Sequence, residues 1–221
     1  MAVSLVYFAA GKLGLYFASF NASSSPVWPP AGIAFAALLL FGFRIWPAVF
    51  LGAFFVNITT AGTVITSLGI ASGNTLEAVA GVYLTMRYAN GRKVFERAQD
   101  FFKYATLTSV CATTISPTVG FTSLALGGFA PWNEFTRSWL TWWLGDVGSY
   151  LLVAPFLILW IEHPSIAGDR RRLLEASLTL IAIVLVGVLV FGGGASGNPQ
   201  ISDWFCVRPD TGVVCVPVRT A

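Results

Sequence analysis

The sequence predicts an all-α protein: a polytopic transmembrane helix bundle of about seven spans, in which the second helix has a broken or re-entrant start. Of the 221 residues, 56% are hydrophobic and only 10% are charged, and the mean hydropathy is +0.74. Soluble domains average about 25% charged and 45–50% apolar residues. Apolar runs fill nearly all of residues 2–193, which leaves no space for a separate soluble domain.

Hydropathy places the spans at about 2–20, 27–43, 45–60, 63–86, 102–127, 138–161 and 173–193. Only Ala61 and Gly62 separate the third and fourth spans, which predicts a tight helical hairpin. In the fifth span, Pro117 predicts a kink, because proline removes a helical hydrogen bond. Neighbouring Ser and Thr hydroxyls can satisfy the carbonyls that Pro117 leaves free.

The second span is too short to cross a bilayer as a helix. Residues 31–43 would extend roughly 20 Å at about 1.5 Å per residue, against a hydrocarbon thickness of about 30 Å. The preceding stretch, with Pro26, Trp28, Pro29, Pro30 and Gly32, must therefore enter the membrane as irregular backbone. Such backbone is tolerated only beside protein or a water-filled cavity. We expect the helix start, with its positive dipole and free N–H groups, to face Asp146 or a ligand.

Basic residues predict the orientation in the membrane. If the N-terminus is cytoplasmic, nine Lys and Arg residues fall in inner loops and three in outer loops, while Lys12 lies within the membrane. The basic residues flank the membrane spans, so their charge does not suggest nucleic-acid binding.

Three ionisable residues lie inside predicted spans: Lys12, Glu77 and Asp146. Such groups are costly in a membrane and mark functional sites by default. Predicted depths of about 12 Å for Lys12 and Asp146 and about 21 Å for Glu77 favour a Lys12–Asp146 pair. A proton, Arg44 or a bound cation would then neutralise Glu77.

Glu77 belongs to a stripe that faces another helix. Gly69, Gly73, Glu77 and Gly81 recur every four residues, and small residues on one face let membrane helices approach closely. Asn74 lies on nearly the same side. Two interpretations remain open: a polar clamp that stabilises the bundle, or a site for a ligand, proton or cation.

Asp146 shares a helix face with Trp142 and Trp143. Aromatic residues with a few polar groups line small-ligand pockets, and they also form membrane-interface belts. Chemistry of other kinds has no support: no Cys/His cluster, phosphate loop or nucleophile motif occurs. We therefore expect no enzymatic activity and no cofactor, and the sequence assigns no residue to a metal site.

Residues 194–221 form a polar tail that we expect to be disordered or a non-native terminus. Its two cysteines, Cys206 and Cys215, could form a disulfide on the outer side.

The motifs resemble a known family. Pro26-Val-Trp-Pro-Pro-Ala-Gly32, Gly73-Asn-Thr-Leu-Glu-Ala78 and Trp139-Leu-Thr-Trp-Trp-Leu-Gly-Asp146, followed by Leu151-Leu-Val-Ala-Pro155, are similar to the membrane-associated sensor (MASE) domain, type one. The resemblance covers about residues 1–193. It implies a multi-pass sensory input module of a bacterial inner membrane, with Asn74, Glu77 and Asp146 as characteristic polar positions and no catalytic residues.

The resemblance also implies a cytoplasmic effector, usually a fused histidine kinase or cyclic-di-GMP enzyme. Such domains typically have about eight helices, so the chain either lacks its last helix or acts through a partner membrane protein; a homodimer is a further option. Two other classes compete with a sensory module. One is a small substrate-binding subunit of a transporter, which would also use a broken helix, and the other is a scaffold without a ligand.

Overall fold

A computed structural model describes residues 1–16, 28–60, 62–162, 204–207 and 214–217. The chain divides into two compact units, Met1–Pro164 and Ser165–Ala221. The described residues of the first unit form a helical bundle, and the described residues of the second form two short strands.

The first six predicted spans correspond to seven helices, because the fifth span contains both α5 and α6. The helices are α1 Ala2–Tyr16, α2 Pro29–Phe41, α3 Trp46–Ile58, α4 Val64–Tyr88, α5 Ala98–Lys103, α6 Ile115–Leu126 and α7 Phe135–Glu162. Short 3-10 turns at Phe43–Ile45, Gly91–Phe95 and Trp132–Glu134 connect them. The seventh predicted span, 173–193, lies outside the described residues, so the number of spans stays a prediction.

Among the described residues, two continuous helical stretches are long and apolar enough to cross a membrane, judged by length and composition: Ala98–Leu126 and Trp132–Glu162. Three others, Ala2–Leu15, Pro29–Phe41 and Phe43–Ile58, are apolar but shorter. The helical architecture of the first unit, with these apolar helices, agrees with the predicted membrane bundle.

Helix α2 lies at the centre of the bundle. It is 13 residues long and has prolines in its first turn, where their missing N–H groups cost nothing. Every residue of α2 from Pro30 to Leu40 except Ile33 is buried, as expected of a helix that is apolar all round. Gly42 ends the helix with a φ of 87°. The residues before Trp28, including Pro26, lie outside the described part of the chain, so the re-entrant start stays a prediction.

Helices α3 and α4 form the predicted hairpin. Thr63 caps α4: its side chain accepts a hydrogen bond from the Thr66 N–H, and the Thr66 hydroxyl accepts one from the Thr63 N–H. This reciprocal capping box sets where α4 begins. From there, α4 packs against α3 on one side and α6 on another.

The fifth span changes helix type along its length, and the kink expected at Pro117 stays a prediction. A π-helical run, Tyr104–Cys111, and a 3-10 turn, Ala112–Thr114, join α5 to α6. Pro117 therefore lies in the first turn of α6, where its missing donor is tolerated best. Nearby hydroxyls donate to backbone carbonyls, as Thr113 does to Ser109 at 2.7 Å. The carbonyl that Pro117 leaves free is that of Thr113, four residues earlier, so the predicted role of the hydroxyls there stays a prediction.

The glycine stripe of α4 lies against neighbouring helices. A Cβ added at Gly73 would lie 3.0 Å from the Val119 side chain on α6, and one at Gly81 would lie 2.9 Å from the Tyr150 hydroxyl on α7. Gly69 lies against Ser123 of α6. The stripe thus directs Glu77 toward the bundle interior.

In the second unit, β1 (Trp204–Val207) and β2 (Val214–Pro217) pair antiparallel, and Cys206 lies opposite Cys215 in the register. Their side chains lie outside what the structure describes, so the disulfide stays a prediction.

Candidate functional site

Three helices bring polar side chains together inside the first unit. We define the buried polar centre as Asn74 and Glu77 from α4, Ser116 from α6 and Asp146 from α7. The exposed fractions of Asn74, Glu77 and Asp146 are 6%, 1% and 0%. These three residues were the ones that the sequence singled out on α4 and α7, and the structure brings them together.

Ser116 joins α6 to α4 within this centre. Its hydroxyl donates a hydrogen bond of 2.7 Å to the Asn74 side-chain carbonyl. The same hydroxyl lies next to the carboxyl groups of Glu77 and Asp146. Because a hydroxyl has one proton to donate, its bond to Asn74 leaves none for either carboxyl group.

The carboxyl groups of Glu77 and Asp146 lie within hydrogen-bonding reach of each other. Within the described residues, neither forms an ion pair with Lys or Arg. Both oxygens of Asp146 and Oε2 of Glu77 are buried without a donor. An uncompensated carboxylate in an apolar interior is very costly, so this pair needs a neutralising partner.

Two further residues border the centre. The Tyr7 hydroxyl on α1 lies near both carboxyl groups and beside the Trp28 indole N–H, just before α2. The Tyr7 and Trp28 groups face each other without completing a hydrogen bond, and neither has another partner. The Asn74 amide nitrogen is also buried and unpaired. The centre therefore contains both unpaired hydrogen-bond donors and unpaired acceptors.

The expected Lys12–Asp146 pair does not form. Lys12 donates instead to the carbonyls of Val56 and Thr59, at 3.3 and 2.9 Å, and to the Thr60 hydroxyl at 2.9 Å. A cation at a helix C-terminus satisfies free carbonyls and interacts well with the helix dipole. Arg44, the other suggested partner, is exposed in a 3-10 turn.

The predicted depth of Asp146 was too small, because the sixth span begins earlier than predicted. Helix α7 begins at Phe135, three residues before the predicted start at 138. Asp146 is thus 11 residues into α7 (146 − 135), and Glu77 is 13 residues into α4 (77 − 64). The two carboxyl groups are therefore level with each other.

We expect Lys12→Met to lower the free energy of unfolding by about 0.5–1 kcal/mol, since it removes only a cap of α3. Combined with Asp146→Asn, its effect should be additive within about 0.5 kcal/mol. Denaturant titration of the four proteins in detergent measures this. A larger coupling would mean that Lys12 and Asp146 interact after all.

The start of α2 does not offer free N–H groups to a ligand, contrary to expectation. Pro29 and Pro30 have none, and the Ala31 N–H bonds to the Trp28 carbonyl at 3.3 Å. The Gly32 N–H donates to the Ser149 hydroxyl at 2.8 Å, and that hydroxyl donates to the Pro29 carbonyl at 3.0 Å. This exchange attaches the start of α2 to α7.

Trp142 and Trp143 contact the fifth span. Trp142 is buried in an apolar cluster and packs against Gly120 of α6. The Trp143 indole donates to the Val110 carbonyl at 3.1 Å, in the π-helical run. Both tryptophans therefore attach α7 to the fifth span, and their role in sensing stays a prediction. Trp28, the third aromatic candidate, lies beside Tyr7 at the border of the polar centre.

An aromatic layer adjoins the centre. The ring of Phe35 on α2 lies 4.9 Å from Tyr150 and 5.4 Å from Tyr104, centroid to centroid. The Tyr104 hydroxyl donates to the Tyr150 carbonyl, and the Tyr150 hydroxyl donates to the Glu77 carbonyl at 3.4 Å. The layer joins α2, α7 and the π-helical run directly beside Glu77.

Sequence reasoning missed Tyr7 and Ser116 as site residues. Ser116 precedes Pro117 in a span rich in hydroxyls, so nothing distinguished it from its neighbours. Tyr7 lies in the middle of the apolar first helix. A polar aromatic side chain within an apolar span was the signal that could have identified it.

The fold and the site define a bundle of apolar helices with a buried polar centre. A family model named MASE1 matches residues 1–214. The chain therefore belongs to the MASE1 family of membrane-associated sensor domains. The match extends beyond residue 193, where the sequence resemblance was expected to end. No curated protein and no solved structure matches the chain. MASE1 is a membrane sensory domain family and not a catalytic one.

Proposed function

We propose that this chain is the input module of a bacterial inner-membrane signalling protein, with the buried polar centre as its sensing site. The observation that supports this most is the set of unpaired buried atoms on Asn74, Glu77 and Asp146. Buried polar groups in proteins are nearly always hydrogen-bonded, and unpaired ones in a membrane interior indicate a binding role.

The position of the centre suits a signal transmitted through helix packing. Side chains from α1, α4, α6 and α7 meet there, and the start of α2 is attached to α7 next to it. An occupant that favours one packing of these helices over another would shift their equilibrium. The stripe of small residues on α4 permits close, discrete helix contacts.

Arg92 supports a route toward the cytoplasmic side. Its guanidinium donates to the Leu39 carbonyl at 3.1 Å and also to the Leu40 carbonyl, at the end of α2. Arg92 belongs to the loop between α4 and α5, which the charge bias assigns to the cytoplasm together with the N-terminus. A shift of α2 would therefore reach that loop, where a fused effector or partner protein would respond.

Glu77→Gln and Asp146→Asn test this function. The whole chain is fused ahead of a diguanylate cyclase domain, and cyclic-di-GMP is measured in cells at equal membrane levels of each variant. We expect each substitution to change the output by about fivefold or more, a typical size for coupled sites, because each replaces a carboxyl group of the sensing site with an amide.

Glu134→Gln is the matched control, because Glu134 is exposed between α6 and α7. It should leave the output unchanged. Wild-type output from both site variants would contradict the proposed function and favour a purely structural polar clamp.

A further inference from the structure

The occupant of the buried polar centre can be narrowed by its chemistry. Resting on the proposed function of this site, we propose that Glu77 and Asp146 bind a hard, oxygen-preferring cation, with the Asn74 carbonyl oxygen and the Ser116 hydroxyl as neighbouring oxygen ligands.

The two neighbouring carboxyl groups favour a positively charged occupant. Two carboxyl groups lie side by side at 1% and 0% exposure, and no Lys or Arg of the described residues pairs with them. The nearest intramembrane cation, Lys12, is already bound at the end of α3. A bound cation would offset the cost of burying the pair.

The number of unpaired carboxylate oxygens also favours a cation. Three buried carboxylate oxygens have no donor: Oε2 of Glu77 and both oxygens of Asp146. One proton shared between the two carboxyl groups would form one hydrogen bond and satisfy two of these oxygens. A cation can contact all three at once, and it can also contact the Asn74 carbonyl, whose second lone pair is not used by Ser116.

The chemistry of the neighbouring oxygen atoms indicates which cations suit the site. Carboxylate, amide carbonyl and hydroxyl oxygens suit Na⁺, Mg²⁺ and Ca²⁺ and not the softer transition metals. Among the described residues, no group of three or more His, Cys, Asp and Glu side chains is placed to hold a metal. A site of two carboxylates with neutral oxygens is therefore a site for a hard cation and not for zinc.

The surplus donors are compatible with this occupant. The Asn74 amide N–H₂ and the Trp28 indole N–H cannot ligate a cation, since both are donors only. They can donate to a water that a hydrated cation retains, and hard cations commonly keep such waters.

The test uses the purified full-length chain in lipid nanodiscs at constant pH. Thermal unfolding is followed in NaCl, KCl, MgCl₂ or CaCl₂, with choline chloride holding the ionic strength constant. We expect one of these cations to raise the Tm saturably, by about 5 °C at roughly 100 times its Kd. Asp146→Asn and Glu77→Gln should lose this shift, and Glu134→Gln should retain it.

Asn74→Asp provides a variant with a gain in place of a loss. It adds a carboxylate to the site, and affinity for hard cations follows the charge of the ligands. We expect its half-saturating concentration of a divalent cation to fall by about tenfold, so the test does not depend on variants that are merely unstable.

Three results would overturn the inference: equal Tm in all five salts, a Tm that responds to pH alone, or a cation shift that survives in both Asp146→Asn and Glu77→Gln. The outcome is separable from that of the proposed function. If the substitutions alter cyclic-di-GMP output but no cation stabilises the chain, the sensing site is supported and the cation is rejected. If a cation stabilises the chain but the output is unaltered, the cation site is supported and its role in sensing is rejected.

Discussion

Gly32→Ala should lower the free energy of unfolding by about 2–3 kcal/mol. A Cβ at this position would lie 2.5 Å from the Ser149 carbonyl oxygen and 3.0 Å from the Ala154 backbone nitrogen. Backbone atoms cannot rotate away as a side chain can, so α2 and α7 would have to separate. Separation would also lengthen the bond from the Gly32 N–H to the Ser149 hydroxyl, which is 2.8 Å.

Gly148→Ala is the matched control for this prediction. It makes the same substitution on α7, where an added Cβ would meet nothing within 4 Å. Because alanine favours a helix over glycine by about 1 kcal/mol, this variant should be as stable as the wild type or slightly more so. Denaturant titration in detergent measures both. Equal stability of the two variants would show that α2 and α7 are not in close contact at Gly32.

Gly120→Ala should lower the free energy of unfolding by about 1–3 kcal/mol, through overpacking against a rigid ring. A Cβ there would lie 2.9 and 3.0 Å from two atoms of the Trp142 indole and still closer to a third. Trp142 is 2% exposed, so its ring has little space to move.

Trp142→Phe in the Gly120→Ala background should recover part of the loss, because phenylalanine lacks the fused ring that clashes with the added methyl group. Thermal unfolding of the single and double variants measures the recovery. If the double variant is less stable than the sum of its parts, the clash is not the cause.

The choice of sensing residues depended on two kinds of information. Asn74, Glu77 and Asp146 could be selected from the sequence, because polar residues within apolar spans are costly and few. Their neighbours could not be selected, because a one-dimensional pattern gives the depth of a residue only as well as it gives the helix start. An error of three residues at α7 was enough to pair Asp146 with Lys12 and not with Glu77.

By itself, the sequence determined the helical membrane architecture, the short second helix with its prolines, the α3–α4 hairpin and the glycine stripe. These features follow from composition and local periodicity, which act within one segment at a time. It also carried the motifs that place the chain in the MASE1 family.

Only the tertiary structure decided which polar groups meet. It assigned Lys12 to the end of α3, the Gly32 N–H to Ser149, and Trp142 and Trp143 to the contact with the fifth span. It also placed Ser116 and Tyr7 beside the carboxyl pair. The physical reason is that hydrogen bonds and charges act over a few ångströms between helices, whereas sequence periodicity shows only which face of each helix is turned inward.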